Sequence, residues 1–326
     1  MRNRRKKEAE RKILNLVYGS RPVFEIENSE QPDFLGKLAP NDRPFGIEVT
    51  EFFQSESRAR LDRIPGYVGE LLDGENFRHR IDREQLTVGK GQILSEQKEV
   101  VVSELPMIIQ RVPPLPECAS MVAEVIRSKG KKLAPAFDQL RHVNLIICDR
   151  TNLLCNRQPS DFYSIYCTEL LRDTLFRSRF REVYFVTRFS RDTVFIPLKM
   201  VVTLAYLYFF NAVARSADFP INIGSVSDFM QCFASYLSSI AVGEVQIRRD
   251  GDEIEVIYGD TGFILSADLT PQLRQYLDAP KKAGATAGPA VMSDPGIADR
   301  MRIFQRENTF STGIAFRTTS GAYAGG

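Results

Sequence analysis

Two acidic residues, Asp33 and Glu48, have the spacing and surroundings of a metal-binding pair. Asp33 follows a proline and opens a short apolar stretch, whereas Glu48 lies in the alternating stretch 45–52. Between them, residues 39–44 are rich in Pro, Asn and Asp, which favour a turn. This pattern predicts a hairpin that brings both carboxylates to one sheet edge, where their oxygens can hold Mg²⁺ or Mn²⁺.

The segment 25–54 resembles the motif of the PD-(D/E)xK superfamily, the nuclease fold of many restriction endonucleases. Pro32-Asp33 matches the first part of that motif and Glu48 its second acidic position, but Thr50 stands where the family usually has lysine. The resemblance implies a nuclease that uses Mg²⁺ or Mn²⁺. It also implies one further upstream carboxylate among the metal ligands, for which the candidates are Glu30, Glu27 and Glu25.

A lysine from a neighbouring helix is the expected substitute for the missing motif lysine. Lys129 and Lys132 lie one helical turn apart in the amphipathic segment 117–140, and either can reach the carboxylate pair from a helix packed on the sheet. A cation there would stabilise charge that develops on a phosphate. The alternative is that these lysines face solvent. Thr50 can offer a hydroxyl to a metal-bound water, but no positive charge.

The order of the surrounding segments is typical of an α/β core. A helix is expected up to Gly19, then the hairpin, then a helix in 117–140 and a buried apolar strand in 142–149. The expected fold is a restriction-endonuclease-like mixed sheet flanked by helices, with a mostly helical C-terminal elaboration. The expected division is a core over 1–155, a packed helical extension with added strands and a hairpin over 156–279, and a flexible tail over 280–326.

Several charged or apolar segments allow two interpretations. The basic run 2–7 is expected to be a solvated terminus, with phosphate contact as the alternative. Residues 73–98 are expected to be an irregular charged loop, either solvated or closing over a nucleic-acid duplex. Residues 200–214 are uncharged, but fifteen residues fall short of the roughly twenty that span a bilayer. They therefore predict a buried helix, with no membrane partner.

Two further segments have more specific signals. Residues 56–72 predict a helix interrupted at Pro65-Gly66. Asp250-Gly251 lies between alternating runs and predicts a hairpin in 243–258.

Composition limits the function classes. The net charge is only +2, so contact with nucleic acid must come from local basic patches. Five cysteines, an odd number, indicate reduced thiols and a cytoplasmic protein. The sequence has only two histidines, so neither a zinc site nor a histidine-dependent nucleophile is expected. Phosphate-loop, dinucleotide and kinase motifs are missing from the sequence.

The sequence therefore supports three functional hypotheses. The first is a metal-dependent endonuclease that hydrolyses phosphodiester bonds of DNA within a restriction or phage-defence system, with RNA left open and a homodimer as a candidate assembly. The second is a catalytically inactive scaffold of the same fold that binds nucleic acid or protein, which Thr50 favours. The third, weaker hypothesis is peripheral membrane attachment through residues 200–214.

Overall fold

The computed structural model describes the greater part of the first 214 residues and short segments beyond them. The described ranges are 2–19, 25–37, 40–41, 43–74, 76–95, 100–110, 113–151, 168–189, 192–214, 232–233, 236–237, 245–250, 253–258, 261–265 and 271–275. The predicted tail over 280–326 lies outside these ranges.

Twenty helices and strands are defined within the described residues. In chain order they are α1 (Arg2–Tyr18), β1 (Glu25–Asn28), β2 (Phe34–Lys37), β3 (Phe45–Phe52), α2 (Glu56–Arg63), α3 (Tyr67–Gly74), α4 (Arg80–Gln85), β4 (Leu86–Leu94), β5 (Val100–Gln110), α5 (Leu115–Lys132), α6 (Ala134–Gln139), β6 (Val143–Asp149), α7 (Glu169–Arg177), β7 (Val183–Phe189), β8 (Asp192–Pro197), α8 (Leu198–Ala214), β9 (Val245–Asp250), β10 (Glu253–Tyr258), β11 (Thr261–Leu265) and β12 (Pro271–Gln275).

A six-stranded mixed sheet organises these elements. Its strand order is β1-β2-β3-β6-β7-β8. Strands β1 to β3 form an antiparallel meander, β3, β6 and β7 run parallel, and β8 closes the far edge in antiparallel orientation. Parallel neighbours need long crossovers, and helices lie in the connections between β3, β6 and β7. The predicted mixed α/β class is therefore confirmed, and the sheet extends past residue 155.

The two faces of the sheet are covered by different helices. Ile47 and Val49 of β3 belong to a buried apolar cluster with Leu14 and Val17 of α1. Successive side chains on a strand point to opposite faces, so Glu48 points away from this cluster, and there it meets α5. Every residue of β6 is buried, as its continuous apolar pattern predicted.

Several local predictions are confirmed. Helices α2 and α3 are separated at Pro65-Gly66, where Gly66 has a φ of 78°, a conformation that glycine adopts without strain. Helix α8 is buried along much of its length, with Met200, Val202 and Phe210 inaccessible to solvent. In the described part of the chain, every helix is too short or too polar to cross a membrane. Strands β9 and β10 form the hairpin predicted in 243–258.

The prediction of an irregular loop over 73–98 is wrong for most of its length. Helix α4 and strand β4 occupy this segment, and β4 pairs with β5 in a separate two-stranded sheet. Sequence reasoning also missed β1, β11 and β12. In the described part of 156–279, six strands accompany α7, α8 and the helical residues 232–233 and 236–237.

Elements α2 to β5 form an inserted module with its own small core. Tyr67, Leu71 and Leu86 are buried together there, with smaller contributions from neighbouring apolar side chains. The two ends of the module meet, because Gln110 Nε2 donates a hydrogen bond of 2.6 Å to Ser55 Oγ at the first residue of the module. The module therefore leaves the main sheet after β3 and returns to almost the same place before α5.

A buried carboxylate, Asp82, joins the three helices of this module. Its side chain is fully buried and accepts hydrogen bonds from Ser57 Oγ at 2.6 Å, Tyr67 OH at 2.5 Å and Arg60 Nε at 3.0 Å. Burial favours a higher carboxyl pKa, but the hydrogen bonds from Arg60, Ser57 and Tyr67 outweigh burial and lower the pKa of Asp82 to about 2. The charged form therefore stabilises the module.

We expect Asp82→Asn to destabilise the protein by about 2–3 kcal/mol above pH 4, because the lowered pKa is a measure of the stabilisation that ionised Asp82 contributes. The carboxylate is ionised in the unfolded chain above its ordinary pKa of roughly 4, so its contribution is complete there and is lost as the pH falls through about 2. Urea unfolding followed by circular dichroism should show the difference between wild type and variant shrinking between pH 4 and pH 2. Asp73→Asn, at an exposed position of α3, is the matched control and should change little at any pH. If the stability difference between wild type and Asp82→Asn stayed constant down to pH 2, the stabilising role of ionised Asp82 would be contradicted.

Candidate functional site

The β2–β3 hairpin places Asp33 directly beside Glu48. Its register pairs Phe34 with Ile47, so the residue before β2 stands opposite Glu48. The Asp33 backbone N–H donates to Glu48 Oε2 at 3.3 Å, and the Val49 N–H donates to Asp33 Oδ2 at 3.0 Å. Asp33 is only 7% exposed and Glu48 only 2%. The structure thus brings together the two carboxylates that sequence analysis singled out, in a largely dry environment.

Lys129, in the last turn of α5, reaches this carboxylate pair. Its Nζ lies 2.7 Å from Glu48 Oε1, in an ion pair whose acidic partner is almost wholly buried. Lys132, the other candidate from the same helix, is exposed, and its backbone carbonyl accepts a hydrogen bond from Gln31 Nε2 at 3.2 Å. Of the two lysines proposed to replace the motif lysine, Lys129 is therefore the one placed at the acidic pair.

A second lysine at the site, Lys7, comes from the basic run at the start of α1. Its Nζ lies 3.2 Å from Asp33 Oδ1 and also donates to the carbonyls of Asp33, at 3.2 Å, and Ser29, at 3.0 Å. Burial favours a lower pKa for this ammonium, but the charges and hydrogen bonds of Asp33 and Glu10 outweigh burial and raise the pKa of Lys7. The prediction that residues 2–7 are a solvated terminus is wrong for Lys7.

The buried upstream carboxylate near the site is Glu10. It is 7% exposed, and its Oε2 lies 3.3 Å from Lys7 Nζ, the same ammonium that contacts Asp33. This oxygen is shielded from solvent, and its contact among the described residues is the Lys7 ammonium. A buried carboxylate oxygen with only an ion pair can still accept a ligand. Sequence reasoning missed Glu10, although its spacing to Leu14 and Val17 places it on the buried face of α1.

The upstream carboxylates proposed from sequence have exposed side chains. Glu30, Glu27 and Glu25 are all exposed, and Glu25 forms an ion pair of 3.7 Å with Lys37 across the β1–β2 hairpin. The structure places Glu10 beside the Lys7 ammonium that contacts Asp33, whereas Glu30 lies at the surface three residues before Asp33. Thr50 follows Glu48 by two residues, so it faces the same side of β3, and it is half-buried.

The donors at this site fit Mg²⁺ or Mn²⁺ in type. Mg²⁺ in proteins is held by oxygen, often through only one or two carboxylates, with waters and substrate phosphate completing the shell. Asp33 and Glu48 supply two such carboxylates, and Glu10 Oε2 is a further buried oxygen nearby. Within the described residues, no group of three or more His, Cys, Asp and Glu side chains is arranged to hold a metal ion. The carboxylate pair is a candidate cation site because of the type of its donors and their burial.

Comparison with known proteins returned no relative. No family model matches the sequence, no curated protein matches it, and no solved structure matches the fold.

We expect Lys129→Met to destabilise the protein by about 3–5 kcal/mol, because it leaves Glu48 buried without its counter-ion. The double variant Lys129→Met with Glu48→Gln should recover most of this loss, since both charges are then removed. Urea unfolding of wild type, the two single variants and the double variant forms the cycle that measures the coupling. Lys132→Met is the matched control and should be neutral within about 0.5 kcal/mol, because its side chain is exposed. Equal stabilities for the two lysine variants would contradict the pairing.

Proposed function

We propose that this protein is a metal-dependent nuclease of restriction-endonuclease-like fold that hydrolyses phosphodiester bonds of DNA, as part of a restriction or phage-defence system. The observation that carries the proposal is the buried cluster of Asp33, Glu48 and Lys129. These side chains come from the residue before β2, the middle of β3 and the last turn of α5. Two carboxylates beside one ammonium are the groups that this class of hydrolysis needs.

The order of the elements around the cluster supports the same proposal. Helix α1 precedes the β1–β3 meander, and α5 precedes β6, which lies parallel to β3. This is the helix, hairpin, helix and strand order expected from the sequence resemblance. Nuclease chemistry on this framework does not require the module of α2 to β5, which interrupts the order between β3 and α5.

In the proposed reaction Asp33 and Glu48 would hold the divalent cation. When bound there, Mg²⁺ or Mn²⁺ would supply a nucleophile at neutral pH by lowering the pKa of a coordinated water, and would offset charge on the phosphate. Lys129 would donate a hydrogen bond to a phosphate oxygen and stabilise its growing negative charge, the role of the motif lysine that Thr50 cannot fill.

Residues around the pair keep it in position. The Val49 N–H fixes the orientation of the Asp33 carboxylate, and Lys7 ties Asp33 to the carbonyl of Ser29. Because these donors are in place before any substrate arrives, little reorganisation is needed at the moment of reaction. A homodimer would present two such clusters, one for each strand of a duplex.

An inactive scaffold of the same fold is the second candidate, and a specific observation favours it. Each carboxylate of the pair already has an ammonium partner, Lys7 for Asp33 and Lys129 for Glu48. Together with Thr50, this charge balance suits a protein that keeps the fold and binds nucleic acid or a protein partner without cleaving.

We expect the wild-type protein to cleave plasmid or linear DNA in Mg²⁺ or Mn²⁺ and to be inactive in EDTA. Asp33→Asn and Glu48→Gln should each reduce the cleavage rate at least about 100-fold, because each removes a charged ligand. Lys129→Met should reduce it by a similar factor, because it removes the charge at the phosphate. Circular dichroism shows whether each variant is folded, and calorimetric titration with Mg²⁺ shows whether it has lost metal binding. Mg²⁺ binding without cleavage of DNA or RNA would favour the scaffold, whereas unaltered cleavage by Asp33→Asn would exclude this site.

We expect Glu10→Gln to lower cleavage by about 10-fold or more, because Glu10 is buried beside the ammonium that contacts Asp33. Glu30→Gln is the matched control on the exposed segment before β2, and it should cleave like wild type. The rate at several Mg²⁺ concentrations shows whether the loss comes from weaker metal binding. If Glu30→Gln is the damaging change and Glu10→Gln is silent, then the upstream carboxylate is Glu30, as the sequence predicted.

A further inference from the structure

A second site lies on the far side of α5, in a cleft of about 490 Å³ between α5, α6 and α7. On a helix with 3.6 residues per turn, Arg127 and Lys131 share one side of α5, whereas Lys129 lies on the opposite side. The cleft and the Asp33–Glu48 pair are therefore separated by the width of one helix, roughly 10 Å. The volume of the cleft is in the range of ligand pockets, which is about 300–1,000 Å³.

The floor of the cleft is apolar and its rim is cationic. The apolar lining residues, here called the floor, are Ile126, Phe137 and Leu170, and Leu170 is 42% exposed. Four basic side chains line the same cleft, namely Arg127, Lys131, Arg177 and Arg179. A single acidic residue, Asp173, accompanies them in the lining. An apolar floor under a positive rim fits a ligand that has both a flat apolar part and a negative part.

The acidic partners of the rim cations are exposed. Arg177 lies 3.8 Å from Asp173, with both side chains more than half exposed. Arg127 lies 3.5 Å from Glu124 at the surface and also donates a hydrogen bond of 3.1 Å to Thr174 Oγ1 in the cleft. Exposed ion pairs of this kind contribute little and exchange readily for a stronger anion. Arg179 pairs with Asp138 at 2.5 Å and also stacks 5.0 Å from the Phe137 ring, so the aromatic floor is already oriented by a guanidinium.

We propose that this cleft binds an unpaired nucleotide of the nucleic-acid substrate, with its base on Phe137 and Leu170 and its phosphates on the rim. The choice of a single strand over a duplex follows from the floor, because bases in a duplex are stacked and cannot enter a cleft, whereas an unpaired base can lie on aromatic and apolar side chains. The basic residues then contact successive phosphates. This inference deepens the proposed nuclease function and rests on it for the identity of the substrate.

The path between the two sites is also basic. Three lysines follow one another around the last turn of α5. Lys129 contacts the carboxylate pair, Lys132 is exposed, and Lys131 lines the cleft. A strand crossing this turn would therefore keep its phosphates near an ammonium over the whole distance. The cleft thus selects substrates that have a single-stranded segment next to the cleaved bond.

Binding of fluorescein-labelled oligothymidylate of about twelve nucleotides, and of a duplex of equal length, tests the proposal by anisotropy in EDTA, where no cleavage occurs. We expect wild type to bind the single strand about 10-fold more tightly than the duplex. The variant Lys131→Gln with Arg177→Gln should weaken single-strand binding about 10-fold and lower the slope of log K against log salt by about 1.4. Its matched control is Arg80→Gln with Lys90→Gln, which removes two similarly exposed charges from the inserted module and should bind like wild type.

Leu170→Ser isolates the apolar floor. It should weaken single-strand binding about threefold and leave duplex binding unchanged, with circular dichroism confirming the fold. The proposal would be overturned if the variant Lys131→Gln with Arg177→Gln bound the single strand as tightly as wild type. It would also be overturned if wild type preferred the duplex and Leu170→Ser left that preference unchanged. A cleavage assay of the wild type separates the two conclusions. Single-strand binding through the cleft, without cleavage of DNA or RNA by the wild type, would overturn the nuclease proposal and keep the cleft proposal. Normal cleavage and binding of single strands by the cleft variants would sink the cleft but keep the nuclease.

Discussion

Burial of the Asp33 and Glu48 carboxylates is the constraint on which the arrangement of the site depends. A charge that leaves water must be compensated by hydrogen bonds and opposite charges, or it destabilises the fold by several kcal/mol. Here two backbone N–H groups and two ammonium groups provide that compensation. The donors come from four places in the chain, so the hairpin, α1 and α5 must all be correctly placed for either carboxylate to be tolerated.

The sheet makes this placement possible because the cluster is supported from both of its layers. Helix α1 packs on the face of β3 that carries Ile47 and Val49, and it delivers Lys7 to Asp33. Helix α5 lies on the other face and delivers Lys129 to Glu48. Asp33 and Glu48, at the antiparallel pairing of β2 with β3, are thus contacted by side chains from both layers. Elements separated by more than a hundred residues contribute to one small volume, which local sequence patterns cannot report.

Features that depend on neighbouring residues could be predicted from the sequence, whereas contacts between distant segments could not. The β2–β3 hairpin was predictable, because turn residues and a period of two determine its register over a few residues. The choice between Lys129 and Lys132 was not, since both lie near the same turn of α5 and only packing separates them. Lys7 and Glu10 were overlooked because a charged helix start reads as solvated, and only the later apolar residues of α1 reveal which face is buried. The β4 strand was overlooked because glycines and charges masked its alternation.

The hydrogen bond between Ser55 and Gln110 has a practical consequence for the architecture. An inserted segment whose two ends are in contact can be deleted and replaced by a short connection. Strand β3 before it and helix α5 after it then keep their positions. Residues 55–110 are therefore an insertion that begins and ends at one place on the main framework. A shortened polypeptide, with a brief turn in place of these residues, should still assemble the six-stranded sheet.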